Sequence, residues 1–299
     1  MTTPALSYVI FASPKSGTTW LQRLLSSHPS VICTESRLFG DYYAHNPLSQ
    51  PHVTLEKYVS ILSHYYSPAT AGLRPGDTDF YHQLLFHTID TFATTTMTAT
   101  GKTVYGEKLT PYKQTAAHAV EMLHRYNPNL RFINLVRDGR DVIVSGASHW
   151  LNLRLRQAGD ADKAVWEQRI ADRSIFGEDF DNFLDYWTDA TAAGLDAHRR
   201  FDHVLDVRYE SLLADPVGGA KSLLEFLGVN ASATTVSECV EAASFKTMSG
   251  GRTEGDEDRH SFFRKGVAGD WQKWLTPAQL DAFDTRAGEL MQRAGYSSL

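Results

Sequence analysis

The chain has 299 residues, 42% of them hydrophobic, enough to bury one large α/β core or two modest ones. Its formal charge of −6 is spread along the sequence, which argues against a nucleic-acid surface and against the basic groove that a long polyanionic acceptor would need. The two cysteines, Cys33 and Cys239, are far apart and argue against a disulfide framework; they fit a reducing compartment. The start, MTTPALSYVIFASPKSG, lacks a basic n-region, and its apolar run is short, so the expectation is a cytoplasmic protein with no membrane span. No Pro/Gly/Ser linker and no repeat period divide the sequence, so residues 1–299 read as a single domain.

Tyr8 to Phe11 is a short apolar run that stops at Ala12-Ser13-Pro14 and reads as a buried strand. A helical face of Trp20, Leu21, Leu24 and Leu25 follows, ended by His28-Pro29. Val31 to Cys33, Thr103 to Tyr105, Arg131 to Val136 and His203 to Tyr209 read as further strands. Helices are expected over Thr115–Tyr126, Gly139–Trp150, Phe180–Arg200, Pro216–Leu227 and Pro277–Ala294. Charged Leu151 to Glu178 reads as a mobile surface excursion, and SGGRTEGDED from Ser249 to Asp258 as a loop. Strands alternating with helices predict an α/β fold, a mainly parallel sheet flanked by helices. Ligands bind such sheets beyond the carboxyl ends of the strands.

Ser13-Pro14-Lys15-Ser16-Gly17-Thr18-Thr19-Trp20 lies between the first strand and the first helix, where backbone N–H groups and a helix N-terminus can hold a phosphate. Lys15 adds a charge, Gly17 permits close approach of the backbone, and Ser16, Thr18 and Thr19 add hydroxyls. The spacing is not GxxxxGK[ST], so this is a P-loop-like strand-loop-helix, which by itself leaves kinases and other phosphate binders in play. The segment PKSGTTW resembles the 5′-phosphosulfate loop of the cytosolic sulfotransferases, residue for residue. Two further segments continue the resemblance, which runs from about Ser7 to Thr276. In VRDGRDVIVS, Arg137 closes the strongest strand, Asp138 can cap the next helix, and Ser145 lies about two turns into it, so Arg137 and Ser145 can meet on one anion. This is similar to the family's 3′-phosphate site, whereas Arg137 alone would read as a surface ion pair. Phe263 to Trp271 is similar to the RKGxxGDW signature, which implies that Arg264, Lys265 and the backbone of Gly266 close over the 3′-phosphate.

The resemblance implies an adenine site of Trp20, Phe245 and Tyr209, although core packing is the rival reading for the last two; Ala243 stands where the cytosolic enzymes carry a Thr. It implies transfer of a sulfuryl group from 3′-phosphoadenosine 5′-phosphosulfate (PAPS) to a hydroxyl of a small, apolar or aromatic acceptor. Lys15 would hold the leaving 5′-phosphate, and Lys108 resembles a transition-state lysine of the tyrosylprotein sulfotransferases. The cytosolic family's base is a His in a KTHLP-like segment, but alignment on Lys108 puts Thr110 there. Glu35, before Ser36 and Arg37, resembles the catalytic Glu of the tyrosylprotein enzymes; the bland alternative is an ion pair with Arg37 or Lys15. There is no HExxH, no paired CxxC and no Asp-rich metal loop, so no metal is expected. Phe39, Tyr42, Tyr43, Tyr65, Tyr66, Phe80, Tyr81 and Phe86 would suit either an apolar acceptor pocket or core packing. The cytosolic KxxxTVxxxE dimer segment appears as Gln272 through Thr276-Pro277 to Asp281, which leaves the oligomeric state open.

Overall fold

The computed structural model describes residues 4–35, 78–111 and 113–297. Its centre is a five-stranded sheet of β1 (Leu6–Phe11), β2 (Val31–Thr34), β3 (Val104–Leu109), β4 (Arg131–Val136) and β5 (Val204–Arg208) in the order β2-β3-β1-β4-β5. Every strand pairing is parallel. From β1 the chain goes to β2 on one side of the sheet and, after β3, crosses to β4 on the other. The direction of winding therefore changes beside β1, and a ligand crevice belongs at the carboxyl ends of β1, β3 and β4.

The central strands β1 and β4 are mostly apolar because both of their faces are covered. Leu6, Val9 and Phe11 of β1 pack in one core with residues of α2 (Thr78–Thr100) and α3 (Ala116–Tyr126). Tyr8 and Ile10 pack in another with α1 (Thr18–Ser26), α8 (Pro216–Leu227) and α9 (Ala233–Ala242). A third cluster joins α4 (Gly139–Gln157), α5 (Asp160–Ala171), α6 (Gly177–Leu195) and α11 (Pro277–Arg293) around Trp187, Phe183 and Phe283. Two short helices, α7 (Tyr209–Ala214) and α10 (Phe245–Met248), follow β5 and α9. Local chemistry sets the helix starts: Asp138 accepts from the Arg140 N–H, Asp215 from Gly218, and Thr276 forms a capping box with Gln279 behind Pro277.

Most of the segment from Leu151 to Glu178 is helical where a mobile excursion was expected, although much of it does lie at the surface. Helix α4 runs on to Gln157 and α5 occupies Asp160–Ala171. Leu151 and Ile170 are buried, and two of the charges that suggested a loop, Arg154 and Arg169, lie against aromatic rings, while Asp160, Asp162 and Lys163 are exposed. The Arg154 guanidinium lies 2.6 Å from Asp179 and 3.2 Å from Glu178, and within 6 Å of the rings of Trp150, Trp166 and Phe176. Helix α2 was equally unforeseen. Its Leu85, Ile89 and Ala93 form a buried stripe, hidden in sequence by a threonine-rich run whose Thr88, Thr91 and Thr98 hydroxyls donate to carbonyls one turn back. Residues 249–258 have no helix or strand, as the sequence suggested.

Cys33 and Cys239 are buried free thiols. Among the described residues no helix is long and apolar enough to cross a membrane. Phe39, Tyr42, Tyr43, Tyr65 and Tyr66 lie outside the described residues, as do the side chains of Phe80 and Tyr81. Phe86 packs against the first core, edge-on to Tyr126 at 5.3 Å.

Asp179 is fully buried, so its charge depends on Arg154. Arg154→Ala should lower unfolding stability by about 2 kcal/mol, discounted from the value for a fully buried pair because Arg154 is partly exposed. Urea denaturation checks this, and a change below about 0.5 kcal/mol would show that Asp179 tolerates its burial unaided.

Candidate functional site

The loop from Ser13 to Gly17 turns sharply because two successive demands fall on it: β1 must end and α1 must begin over the sheet edge. Lys15 has φ 69° and Gly17 φ 94°, both left-handed. At Gly17 no side chain is possible, since a Cβ would lie 2.5 Å from the Tyr209 ring. Ser16 is turned inward, its hydroxyl 2.7 Å from that of Ser13. The Lys15 ammonium lies 4.4 Å from the Phe262 ring centroid. Its pKa is lowered to about 8, first by burial and then by the like charges of Arg137 and Lys108.

Arg137 leaves the end of β4 and donates from Nη1 to the Lys15 carbonyl at 3.0 Å, with its guanidinium 4.6 Å from the Tyr209 ring centroid. Its buried Nε has no hydrogen-bond partner among the described residues. A buried donor left open beside a lysine is what an anion would complete. The turn is held from outside: Trp187 Nε1 donates to the Arg137 carbonyl at 2.9 Å, and Glu210 accepts from the Asp138 N–H at 3.0 Å. Asp141, in the first turn of α4, accepts from the Gly269 and Trp271 N–H groups at 2.6 and 3.1 Å and so fastens the RKGxxGDW segment to that helix. Burial raises the Asp141 pKa, against the pull of Arg137 and those two donors.

At the far end are aromatic faces. Trp20 stands edge-on to Tyr209 at 5.8 Å and donates from Nε1 to the Ala243 carbonyl at 2.8 Å. Phe245 rests on Gly266, where a Cβ would come within 2.4 Å of the ring. Arg264 pairs with Glu257 at 2.7 Å and with Asp270 at 2.6 Å, while Lys265 pairs with Asp270 at 2.8 Å.

On the β3 side, Lys108 pairs with Glu35 at 2.7 Å and donates to the Thr19 hydroxyl at 3.3 Å. Lys108 is thus a partner of Glu35 that the sequence reading had not named, and Arg37 lies outside the described residues. Behind it, buried Glu107 accepts from the Tyr105 hydroxyl at 3.0 Å, 2.6 Å from the Thr34 hydroxyl. His28 is wholly buried away from this chemistry: Nδ1 accepts from the Ser30 N–H, and Nε2 lies 3.0 Å from the Asn230 carbonyl.

These groups converge on one cavity of about 470 Å³. Lys15, Gly17, Thr18, Thr19, Trp20, Glu35, Lys108, Arg137, Ser145, Tyr209, Phe245, Arg264, Lys265 and Gly266 all line it, and Thr110 does too. Of the residues assigned from sequence to the phosphate, adenine and catalytic sites, Ser16 is not on this wall, and neither is Phe86 of the aromatic set. Sequence reasoning missed Glu254 and Phe262 on the wall, and Asp141 as the fastener behind it. Glu254 was hidden in an acidic stretch with no periodicity, and Asp141 was legible only as a favourable charge in a first helical turn. Among the described residues no group of three or more His, Cys, Asp or Glu could hold a metal ion.

Comparison with known proteins agrees with this geometry. Residues 7–295 match the family model described as the sulfotransferase domain. Sulfotransferase 2A2 of Mus musculus is 28% identical over 179 residues, covering 57% of this chain and 59% of the relative. Cytosolic sulfotransferase 5 of Arabidopsis thaliana is 26% identical over 180 residues, covering 55% and 53%. The chain thus spans a little over half the length of these curated relatives. Among solved structures, the sulfotransferase domain from the curacin biosynthetic pathway superposes with a TM-score of 0.59 at 15% identity, covering 100% of both chains. A mouse sulfotransferase complexed with PAP gives 0.51 at 18% identity, covering 98% of this chain and 86% of the other. At these identities the two structures speak for the fold, and it is the same α/β fold. The family match, spanning the phosphate loop, the Arg137 turn and the Gly269 segment, settles the assignment: the chain belongs to the sulfotransferase family.

Proposed function

We propose that the protein transfers the sulfuryl group of PAPS to a hydroxyl of a small, apolar or aromatic acceptor. The observation that carries this reading is the gathering of Lys15, Lys108 and Arg137 around one cavity, with aromatic rings at one end and the Glu35 carboxylate at the other. The open Nε of Arg137, with Ser145 on the same wall, suits the 3′-phosphate. Arg264 and Lys265 would join it by exchanging part of their pairing with Asp270 and Glu257. The adenine ring would lie among Trp20, Tyr209 and Phe245. The apolar Phe262 and Phe263 on the wall support an acceptor of apolar or aromatic character.

In the reaction the acceptor oxygen forms a bond to sulfur as the bond from sulfur to the bridging phosphate oxygen breaks. The electron pair leaves on that oxygen, giving adenosine 3′,5′-bisphosphate, and the acceptor proton passes to a base. Lys15 and Lys108 would offset the charge growing on the leaving oxygen. Glu35 would take the proton, since Thr110 at the usual histidine position is no base at neutral pH. A carboxylate in contact with an ammonium is a weak base, and an anionic donor competing for Lys108 would free it. The sulfuryl group carries less charge than a phosphoryl group, so two lysines suffice in this scheme without a divalent ion.

The decisive experiment compares donors. Sulfur-labelled PAPS should transfer label to a member of a hydroxyl-acceptor panel, in EDTA as well as without it, while γ-labelled ATP should not. Transfer from ATP alone would replace this reading with a kinase, and tight bisphosphate binding without any transfer would leave a nucleotide-binding module.

Glu35→Gln keeps the shape of the side chain and removes its basicity. It should lower kcat by about 10²–10⁴-fold with a poorly acidic alcohol, and by less with an acidic phenol, while donor affinity is kept or tightened, since Lys108 loses a competing carboxylate. Retained turnover with the alcohol would move the base elsewhere.

Lys15 predicts a pH dependence. An anion bound beside it raises its pKa above the unliganded value of about 8, so the complex holds the proton more tightly than the free protein. Affinity for adenosine 3′,5′-bisphosphate should be level near pH 7 and fall as pH rises past about 8, by at most about ten-fold per pH unit. Lys15→Arg, charged at every such pH, should flatten the curve in calorimetry. An unchanged slope in Lys15→Arg would assign the titration to another group.

A further inference from the structure

Within the sulfotransferase reading, on which this inference rests, we propose that Glu254 reads the exocyclic amine of the donor's adenine and is a specificity-determining residue of the nucleotide site. An acidic side chain on the wall of a cavity meant for a polyanion is an anomaly that calls for a cause. The same wall carries Lys15, Lys108, Arg137, Arg264 and Lys265. Lys108 pairs with Glu35, and Arg264 and Lys265 pair with Asp270, but Glu254 makes no ion pair with any of the five. A carboxylate that stands apart from the cations belongs where the ligand carries no negative charge, and in this donor that is the base.

The anchoring of its loop puts Glu254 at that end. Arg252, two residues earlier, lies with its guanidinium 5.3 Å from the Phe245 ring centroid. It donates to the carbonyls of Asp256, Phe263 and Arg264 and to the Ser261 hydroxyl, so the loop is pinned beside Phe245. On the other side of Glu254, the Gly255 N–H donates to the Lys265 carbonyl at 2.9 Å. The carboxylate is also close enough to Tyr209 to help raise its phenol pKa, behind burial and the charge of Glu210 and Asp141. Glu254 thus acts on the Tyr209 ring from a loop that Arg252 pins beside Phe245.

Two of the other acceptors there already carry a bond. The Ala243 carbonyl accepts from Trp20, and Ser244 Oγ caps the Thr247 N–H at 3.2 Å and donates to the Thr247 hydroxyl. Ala243 itself has no side-chain acceptor, where the cytosolic enzymes have a Thr. The amine needs an acceptor, since a polar group removed from water and left unmatched is costly, and Glu254 supplies one.

The test is calorimetric titration of the full chain with the 3′,5′-bisphosphates of adenosine, of purine riboside (the same base without the amine) and of guanosine. Wild type should prefer adenosine over purine riboside by about ten-fold. Glu254→Ala should bring that ratio within about two-fold, and Glu254→Gln, whose amide oxygen still accepts, should retain part of it. Relief of charge repulsion in either variant acts on all three ligands and cancels in the ratio. An unchanged ratio in Glu254→Ala overturns the proposal. So does tighter wild-type binding of guanosine, whose N1–H and N2–H a carboxylate would read instead. Failure of the wild type to bind any of the three overturns the sulfotransferase reading itself.

Discussion

The structure turns on like charge held together inside a protein. Lys15 is buried beside Arg137 and feels Lys108, and the two last depress its pKa further than burial alone would. Like charges so placed repel one another through the protein, and the lowered Lys15 pKa is the sign of it. Nothing about this favours folding. The chain holds the arrangement because each cation hangs from a part of the scaffold that is fixed for other reasons. Lys15 sits in the turn that Gly17 and Tyr209 force, Arg137 ends a strand whose carbonyl is tied to Trp187, and Lys108 ends β3. On the proposed reading the donor's phosphates would relieve that repulsion, so part of the affinity for them would be set up in the free protein.

Asp141 shows how such a site is stabilised without neutralising it. A further carboxylate among the cations in the cavity, beyond Glu35 on Lys108, would weaken their pull on an anion. Placed behind them, with two backbone N–H groups from Gly269 and Trp271, it balances Arg137 at a distance and joins two segments more than a hundred residues apart. The cost is a buried carboxylate whose pKa is raised by desolvation. Asp138, next to it, is used differently, engaged by the backbone and guanidinium of Arg140, whose charge in turn faces the Trp271 ring at 4.1 Å. One helix start thus spends its acidic residues on holding the turn together.

What could be read from sequence was what is local. The β1 run, the glycine at the loop, the Asp138 cap and the apolar strand before Arg137 each announce themselves within a few residues, and each stands where its pattern placed it. The failures share a cause. Arg154, near the end of α4, was read as solvated charge, whereas its guanidinium packs on three rings; Asp162 and Lys163 of α5 are exposed, but exposure there goes with helix and not with loop. The threonines of α2 hid a stripe of Leu85, Ile89 and Ala93, since β-branched residues suggest strand until their hydroxyls are seen bonding back along the helix. Glu254 and Arg252 carry no local signal; their meaning lies in Phe245, Tyr209 and Phe263, and only the folded chain brings those near.

The place of Glu35 follows from the register of the sheet. β2 and β3 are parallel neighbours, with Thr34 opposite Glu107. One residue further along both strands come Glu35 and Lys108, adjacent across a gap of about 4.8 Å and, by the alternation of a strand, directed to the same side. Their 2.7 Å contact is therefore a consequence of pairing and needs no special loop. Thr110, two residues after Lys108, also borders the cavity. A base can thus stand at either of two positions around one lysine, at the end of β3 itself or one strand over at the end of β2. The sheet fixes the lysine and leaves the choice of base to single residues on adjacent strands. On the proposed reading this chain has taken the second position, and a threonine at the first is then no defect.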